Sequence, residues 1–337
     1  MCGITGYVGN RNGLNIVASS LKNLEYRGYD SAGVAINDGG ITVYKQAGEI
    51  DDLSLPLSTS TATTAIGHTR WSTHGKPTDA NAHPHTDCTG EIAVVHNGII
   101  DNYTTLKEEL TDRHTFTSET DTEVIPHLLE DELRSGINLV EAVDRVTDIL
   151  EGSYAFAVTI DDEDGIVAAR QDSPLVIGHG ENEHFLASDV PAFIDHTRKV
   201  TYLQDGDIAH LTTDSVTIYN AGEVVDREIT TVDWDAEAAE KGGFDHYMAK
   251  EIHEQPKALR QAITGRIDTL NGTANLDIEL PAEFLQSMNE IHIVAAGTSY
   301  HAALYTKELL ESYTDIRVST TVASEYEFKE CRDPWQT

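Results

Sequence analysis

From Ser153 to Asn220 the sequence is a succession of short apolar or alternating runs, Tyr154 to Ile160, Gly165 to Ala169, Leu175 to Ile177 and Val216 to Tyr219, interrupted by Asp-Asp, Asp-Gly and Asp-Ser pairs. Runs this short, bounded by turn formers, read as strands, because none is long enough for several helical turns. The text before them keeps a different period. Leu106 and Leu110, then Leu139, Val143, Val146 and Leu150, recur at helical spacing and place helices between about 100 and 150. Leu14, Val17, Leu21 and Leu24 do the same behind the apolar segment Ile4 to Val8, which predicts a strand followed by a helix. The first two thirds of the chain must therefore combine sheet and helix.

A polar stretch from Asp233 to Asp245, with Asp-Ala-Glu-Ala-Ala-Glu and Gly242-Gly243, reads as a linker. Beyond it come a helix from about His246 to Ile263 and the apolar run Ile291 to Ala296, which leads through Gly297-Thr298-Ser299 into a second helix; this order reads as α/β. A length of 337 residues with 39% hydrophobic composition supports roughly two domains. Lys and Arg total 23 against 57 Asp and Glu, for a net charge of -34, and no basic run occurs, so nucleic-acid binding is not expected. The acidic residues are spread along the chain, as on a strongly hydrated anionic surface, and adaptation to high salt is the preferred reading. Cys2, Cys88 and Cys331 are too few and too scattered for a disulfide framework or a paired-cysteine zinc site; no metal and no cofactor is expected, and a reducing cytoplasm fits. No window approaches the roughly 18 apolar residues of a membrane span.

Chemistry first suggests itself at Met1-Cys2-Gly3-Ile4. If the initiator methionine is removed, thiol and free α-amine share one residue, and the amine, titrating near about 8, can take the proton of the thiol. A second-position cysteine by itself is more often chance. Three other constellations stand out. Gly67 to Gly75 is dense in polar donors and holds Arg70, able to grip a carboxylate through two parallel hydrogen bonds, though its histidines could as well sit in an ordinary loop. Val94-Val95-His96-Asn97-Gly98 ends a strand in Asn-Gly, whose amide and backbone N–H could hold an oxyanion, although an isolated Asn-Gly is more often a hairpin turn. In Thr117 to Glu123, Asp121 could bind an ammonium group or merely cap the following helix.

In this order, Cys2-Gly3-Ile4, Leu24 to Gly33, Gly67 to Gly75, His96-Asn97-Gly98 and Ser118 to Glu123 resemble the class II glutamine amidotransferases. The resemblance is closest to the glutamine–fructose-6-phosphate aminotransferase branch, and it continues through Glu151 to Ala155, Ser173-Pro174-Leu175, Ala187-Ser188-Asp189, Met248 to Pro256 and Gly297 to His301. It implies an α+β N-terminal nucleophile hydrolase fold, a four-layer αββα sandwich, over residues 2–235, a linker over 236–245 and an incomplete α/β sugar-isomerase (SIS) domain over 246–337. It implies that Cys2 attacks glutamine with its own α-amine as base, that Asn97 and the Gly98 N–H form the oxyanion hole, and that Arg70 and Asp121 hold the substrate's carboxylate and ammonium. Trp71, Thr73, His74 and Gly75 would belong to the loop closing over glutamine. Arg27 and Asp30 of the motif read as an ion pair supporting the site at least as readily as direct chemistry.

For the second domain the resemblance implies a sugar phosphate at Thr298 and Ser299, at the start of a helix, where a plain cap is the ordinary alternative. Fructose 6-phosphate would bind only with the isomerase domain completed. The expectation is that this chain releases ammonia but does not aminate the sugar unaided, since the family's later catalytic residues lie beyond Thr337. A glutaminase serving another acceptor and a catalytically silent remnant pairing with a full-length subunit are the alternatives. The family's homodimer is expected to depend on the isomerase part.

Overall fold

The computed structural model describes residues 2–71, 75–161, 163, 165–233, 244, 247–263, 267–268, 273–274, 284 and 287–326. They fall into two compact units, Met1–Ile252 and His253–Thr337. In the first, strand β1 (Gly3–Val8) leads to helix α1 (Gly13–Asn23), followed by β2 (Ser31–Asn37), β3 (Ile41–Ala47), β4 (Thr64–Arg70), β5 (His85–Thr86) and β6 (Ile92–Ile100). Three helices, α2 (Tyr103–Leu110), α3 (Val124–Leu133) and α4 (Leu139–Thr147), come next. The rest is sheet: β7 (Gly152–Ile160), β8 (Ile166–Gln171), β9 (Val176–His179), β10 (His184–Ala187), β11 (Lys199–Tyr202), β12 (Asp207–Leu211), β13 (Val216–Asn220), β14 (Glu223–Val224) and β15 (Thr230–Thr231).

These strands form two antiparallel sheets, one of eight strands in the order β15-β11-β9-β10-β1-β4-β2-β3 and one of seven in the order β14-β13-β12-β8-β7-β6-β5. Alternation along the strands decides how the sheets stack. In β6 and β7, Ala93, Val95, Ala155 and Ala157 point into an apolar layer shared with Ile4, Val8, Ala35 and Ile66 of the first sheet. Their alternate neighbours Val94, Phe156 and Val158 pack the other way, against Val124, Ile125, Leu129, Val143 and Val146 of α3 and α4. On the outer side of the first sheet, Tyr7, Val34 and Phe185 meet Leu14, Val17 and Leu21 of α1. The result is helix, sheet, sheet, helix, the αββα order of the N-terminal nucleophile hydrolases. Along β6 and β7, alanines and Val95 face the space between the sheets while Val94, Phe156 and Val158 face the helices. At Gly6 a Cβ would already stand 3.1 Å from Ile166 Cδ1 of the opposite sheet.

The second unit contains a two-stranded antiparallel pair, β16 (Ile267–Asp268) and β17 (Thr273–Ala274), and a β–α–β segment: β18 (Glu290–Ala295), helix α6 (Gly297–Tyr313) and β19 (Arg317–Val322). Strands β18 and β19 are parallel, with Glu290 opposite Arg317 and Ala295 opposite Val322, as an α/β crossover requires. Helix α5 (Tyr247–Ile263) precedes this segment. Among the described residues no helix is long and apolar enough to cross a membrane. The expected linker lies outside the described residues apart from Phe244.

Candidate active site

Cys2 enters the first sheet at its centre. Strand β1 runs between β10 and β4, and the pairing of Gly3 with Thr69 sets Cys2 beside the end of β4, where Arg70 and Trp71 lie. The Trp71 N–H donates to Cys2 Sγ at 3.2 Å, and the thiol reaches the Trp71 carbonyl at 3.4 Å. Burial pushes the Cys2 thiol pKa up, and the Trp71 N–H, Arg70 and Arg27 all oppose that shift by favouring the thiolate. Gly28 permits the close passage of the neighbouring turn: a Cβ there would meet the Arg70 carbonyl carbon at 2.6 Å.

Arg27 is buried and donates from Nε to the Cys2 carbonyl at 3.0 Å. Its Nη1 lies 3.2 Å from Asp189 Oδ2, which also accepts from the Tyr26 hydroxyl at 2.7 Å. The supporting ion pair expected of Arg27 is therefore made with Asp189, 162 residues away in sequence, while the backbone N–H of the motif's own Asp30 donates to the Arg70 carbonyl at 2.9 Å.

Asn97 and Gly98 do not form a turn. Both lie inside β6, opposite Ala155 and Tyr154 of β7, and the strand runs on to Ile100. Alternation with Ala93 and Val95 turns Asn97 toward the first sheet, where its Nδ2 donates to the Cys2 carbonyl at 3.1 Å and to Ser188 Oγ at 2.8 Å. Gly98 has φ +122°, and a Cβ would lie 1.9 Å from the Ser153 carbonyl oxygen, so no other residue fits.

His68 holds the amide of Asn97 in this sense. It shares the inward face of β4 with Ile66 and Arg70, and its Nε2 stands 3.0 Å from the His96 carbonyl and 3.1 Å from Asn97 Oδ1. Both partners are acceptors, so Nε2 carries the proton and the carboxamide nitrogen is turned toward Cys2. Burial pulls the His68 pKa down to about 3, leaving a neutral ring. His68 stacks on His83 at 4.1 Å, and His83 meets His85 edge-on at 4.7 Å. His83 accepts from the His96 N–H at 3.3 Å, His85 pairs with the Thr120 hydroxyl at 3.0 Å and His96 with that of Thr122 at 2.8 Å. Four neutral histidines thus form a buried layer behind the site, and two of them are bonded to Thr120 and Thr122, the residues on either side of Asp121.

Asp121 is buried and does not cap α3; its Oδ2 accepts from the Ile100 N–H at 2.9 Å. Glu123 steadies that segment by accepting from both the N–H and hydroxyl of Thr117 and of Ser118. Arg70 is also buried, with burial lowering its pKa while Cys2, Asp121 and Asp30 act the other way, which places the guanidinium in electrostatic reach of all three. Its Nη1 and Nη2 have long contacts of 3.5 and 3.4 Å to the carbonyls of Lys76 and Gly75. Gly75 has φ +75° and sits against Asn81, whose side chain spans from the Lys76 carbonyl to Glu119. Lys45, buried so that its pKa falls to about 8, donates to the carbonyls of Ala80, Ala82 and Pro84 and ties down the rest of that loop. Trp71 is 44% exposed and rests edge-on against Tyr29 at 5.4 Å. Thr73 and His74 lie outside the described residues.

Sequence reasoning singled out the residues at the substrate face and passed over those behind it. Ser188, Asp189 and His68 were visible only as letters within motifs; the signal for His68 was its two-residue spacing from Arg70 on a strand.

A model of the glutamine amidotransferase domain matches residues 68–195, the segment that supplies Arg70, Asn97 and Asp121. The chain carries a glutamine amidotransferase domain. The chain is 59% identical over 338 residues to the isomerizing glutamine–fructose-6-phosphate aminotransferase of Halobacterium salinarum, covering 100% of this chain and 56% of that one. The corresponding aminotransferase of Thermus thermophilus is 48% identical over 339 residues, 99% and 55% of the two chains. The chain thus spans about half the length of the curated relatives it matches. Among solved structures, the glutamine phosphoribosylpyrophosphate amidotransferase of B. subtilis is 27% identical, with a TM-score of 0.57 over 65% of this chain and 49% of that one.

In the second unit, Thr298 and Ser299 are exposed in the first turn of α6, whose N-cap, Ala296, makes no side-chain capping bond. Gly297 has φ +58°, so the strand turns sharply into the helix there.

Proposed function

We propose that the amidotransferase domain hydrolyses the side-chain amide of glutamine, with Cys2 as nucleophile. Removal of Met1 would free an α-amine on Cys2 to take the thiol proton, and the thiolate would attack the amide carbon. The oxyanion that develops would be held by Asn97 Nδ2 and the Gly98 N–H. Asn97 Nδ2 now donates to Cys2 O and Ser188 Oγ, so donating to the oxyanion means giving up one of these bonds. Ammonia would then leave, and water would cleave the thioester to glutamate. Arg70 would hold the substrate's carboxylate and Asp121 its ammonium, with Trp71, Thr73, His74 and Gly75 around it. The observation that carries this reading is the hydrogen bond of 3.1 Å from the Asn97 amide nitrogen to the backbone carbonyl of Cys2, which sets that donor beside the thiol-bearing residue, fixed in orientation by a neutral histidine. Glutamate release from glutamine, measured for the mature chain and for Cys2→Ala, is the test: turnover must vanish in the variant, and equal rates would sink the proposal.

For the ammonia acceptor, the 59% identical relative named for glutamine and fructose 6-phosphate favours that sugar over a phosphoribosyl donor, the acceptor suggested by the 27% identical structural neighbour. Thr298 and Ser299, at the start of the 17-residue helix α6, would be phosphate ligands of a sugar-isomerase unit. Protection of α6 from hydrogen exchange by fructose 6-phosphate, measured with the isomerase domain complete, would support this, and no protection at saturating sugar would count against it. The net charge of -34 and the Halobacterium relative both favour a protein adapted to concentrated salt.

A further inference from the structure

The geometry points to a closed, zinc-type metal site on the helical side of the amidotransferase domain, formed by Cys88, His114, His127 and Glu130. One ligand atom from each lies within 4.8 Å of every other. Cys88 Sγ stands 3.6 Å from His114 Nδ1 and 3.8 Å from His127 Nδ1. Glu130 Oε2 is 3.0 Å from His114 Nδ1 and 3.7 Å from His127 Nδ1. Around an ion with ordinary zinc–sulfur and zinc–nitrogen bond lengths, the edges of the tetrahedron are about 3.6 Å for sulfur–nitrogen and about 3.3 Å for nitrogen–oxygen. The four separations given above, 3.0 to 3.8 Å, bracket those edges.

The surroundings match those of a metal site in three further respects. His114 Nε2, the nitrogen turned away from the cluster, is held by Asp131 Oδ1 at 3.0 Å, the carboxylate–histidine support usual behind a metal ligand. Arg134 grips the other oxygen of Glu130, while Oε2 accepts from the Cys88 N–H at 3.2 Å and faces the two imidazoles. The Thr115 N–H donates to Cys88 Sγ at 3.4 Å, as backbone amides do to bound thiolates. His114, His127 and Glu130 are buried, while Cys88 is exposed, which provides both shielding and a route of entry. A thiolate, a carboxylate and two neutral imidazoles balance one divalent cation, and the sulfur and nitrogen ligands select zinc or cobalt over magnesium or calcium. With four protein ligands no position remains for substrate, so the role is structural.

The ion would join the turn after β5, the chain beyond α2, and α3, and so clamp both ends of the segment from His114 to His127 that presents Asp121. The spacing conceals it, because the ligands are 26, 13 and 3 residues apart and only one is a cysteine.

The test is Co²⁺ titration of the chelator-stripped full chain, alongside the zinc content of the protein as purified. The expected result is about one equivalent of metal per chain and a thiolate-to-cobalt absorption band in the near ultraviolet. Cys88→Ala, a change at an exposed position, should fold with unaltered circular dichroism, lose the band although Cys2 remains, and bind at least a hundredfold more weakly. Asp131→Asn should keep the band and bind on the order of 10- to 100-fold more weakly. An absence of stoichiometric binding would leave His114 as a hydrogen-bonding partner of Glu130 and Asp131 and overturn the proposal. A band that survives Cys88→Ala would overturn it equally.

Discussion

Acidification from pH 7 to pH 5 should remove a large share of the stability of the first unit, because four histidines are buried behind Asn97 without a charge. Burial lowers the pKa of His68 to about 3, takes those of His83 and His85 well below the ordinary value, and lowers that of His96 against the pull of Asp121. A histidine whose folded pKa lies below its unfolded value of about 6.5 binds fewer protons folded than unfolded between the two. Its contribution is therefore fully present above about 6.5 and is lost as the pH falls. For His68 the fall from 6.5 to 5 spans about 1.5 units, or about 2 kcal/mol at about 1.36 kcal/mol per unit. His83, His85 and His96, whose pKa values burial also lowers, add to this loss in the same direction. Carboxylates mostly titrate below this window, so the histidines set the slope. Denaturant unfolding at a series of pH values in molar salt, which screens the change in net charge, measures it. The unfolding free energy should fall steadily from pH 7 to pH 5, and His85→Gln should make the fall shallower. A loss below about 2 kcal/mol between pH 7 and 5 would refute the reasoning, because it would mean that the folded layer accepts protons freely.

Asn97→Ala should lower kcat for glutamate release by about 10²–10³ with KM changed far less, since the lost donor acts on charge that develops in the transition state; a change confined to KM would argue against the oxyanion role. Arg70→Lys should raise KM for glutamine by about thirtyfold, on the order of 2 kcal/mol for the loss of a two-pronged grip, and steady-state kinetics decide it. Gly98→Ala puts a Cβ 1.9 Å from the Ser153 carbonyl oxygen at φ +122° and should destabilise the domain by more than about 3 kcal/mol in thermal unfolding. The thermal midpoint should rise between dilute and molar salt, because the net charge of -34 repels itself until screened; a flat response would dismiss adaptation to high salt.

Much of the fold was legible because burial imposes a period. The runs beginning at Tyr154, Gly165, Leu175 and Val216 became β7, β8, β9 and β13, and the leucine and valine spacings became α1, α2 and α4. Strands such as β2 and β4 were not read, since Ala32-Gly33-Val34-Ala35 and Ala65-Ile66-Gly67-His68 are buried on both faces and carry no polar alternation. Asn97-Gly98 misleads for a related reason: locally it suits a turn, yet β7 pairs with it on one side and Ser153 leaves no room for anything but glycine.

The sequence alone determined which residue types were available: a thiol at position 2, one arginine and one aspartate to grip an amino acid, an amide followed by glycine, and motifs in a recognisable order. Only the tertiary structure decided what stands behind them. The partner of Arg27 is Asp189, the orientation of Asn97 depends on His68, and Cys88 meets two histidines and a glutamate, because strand pairing and helix packing bring together residues whose separation along the chain carries no signal of contact.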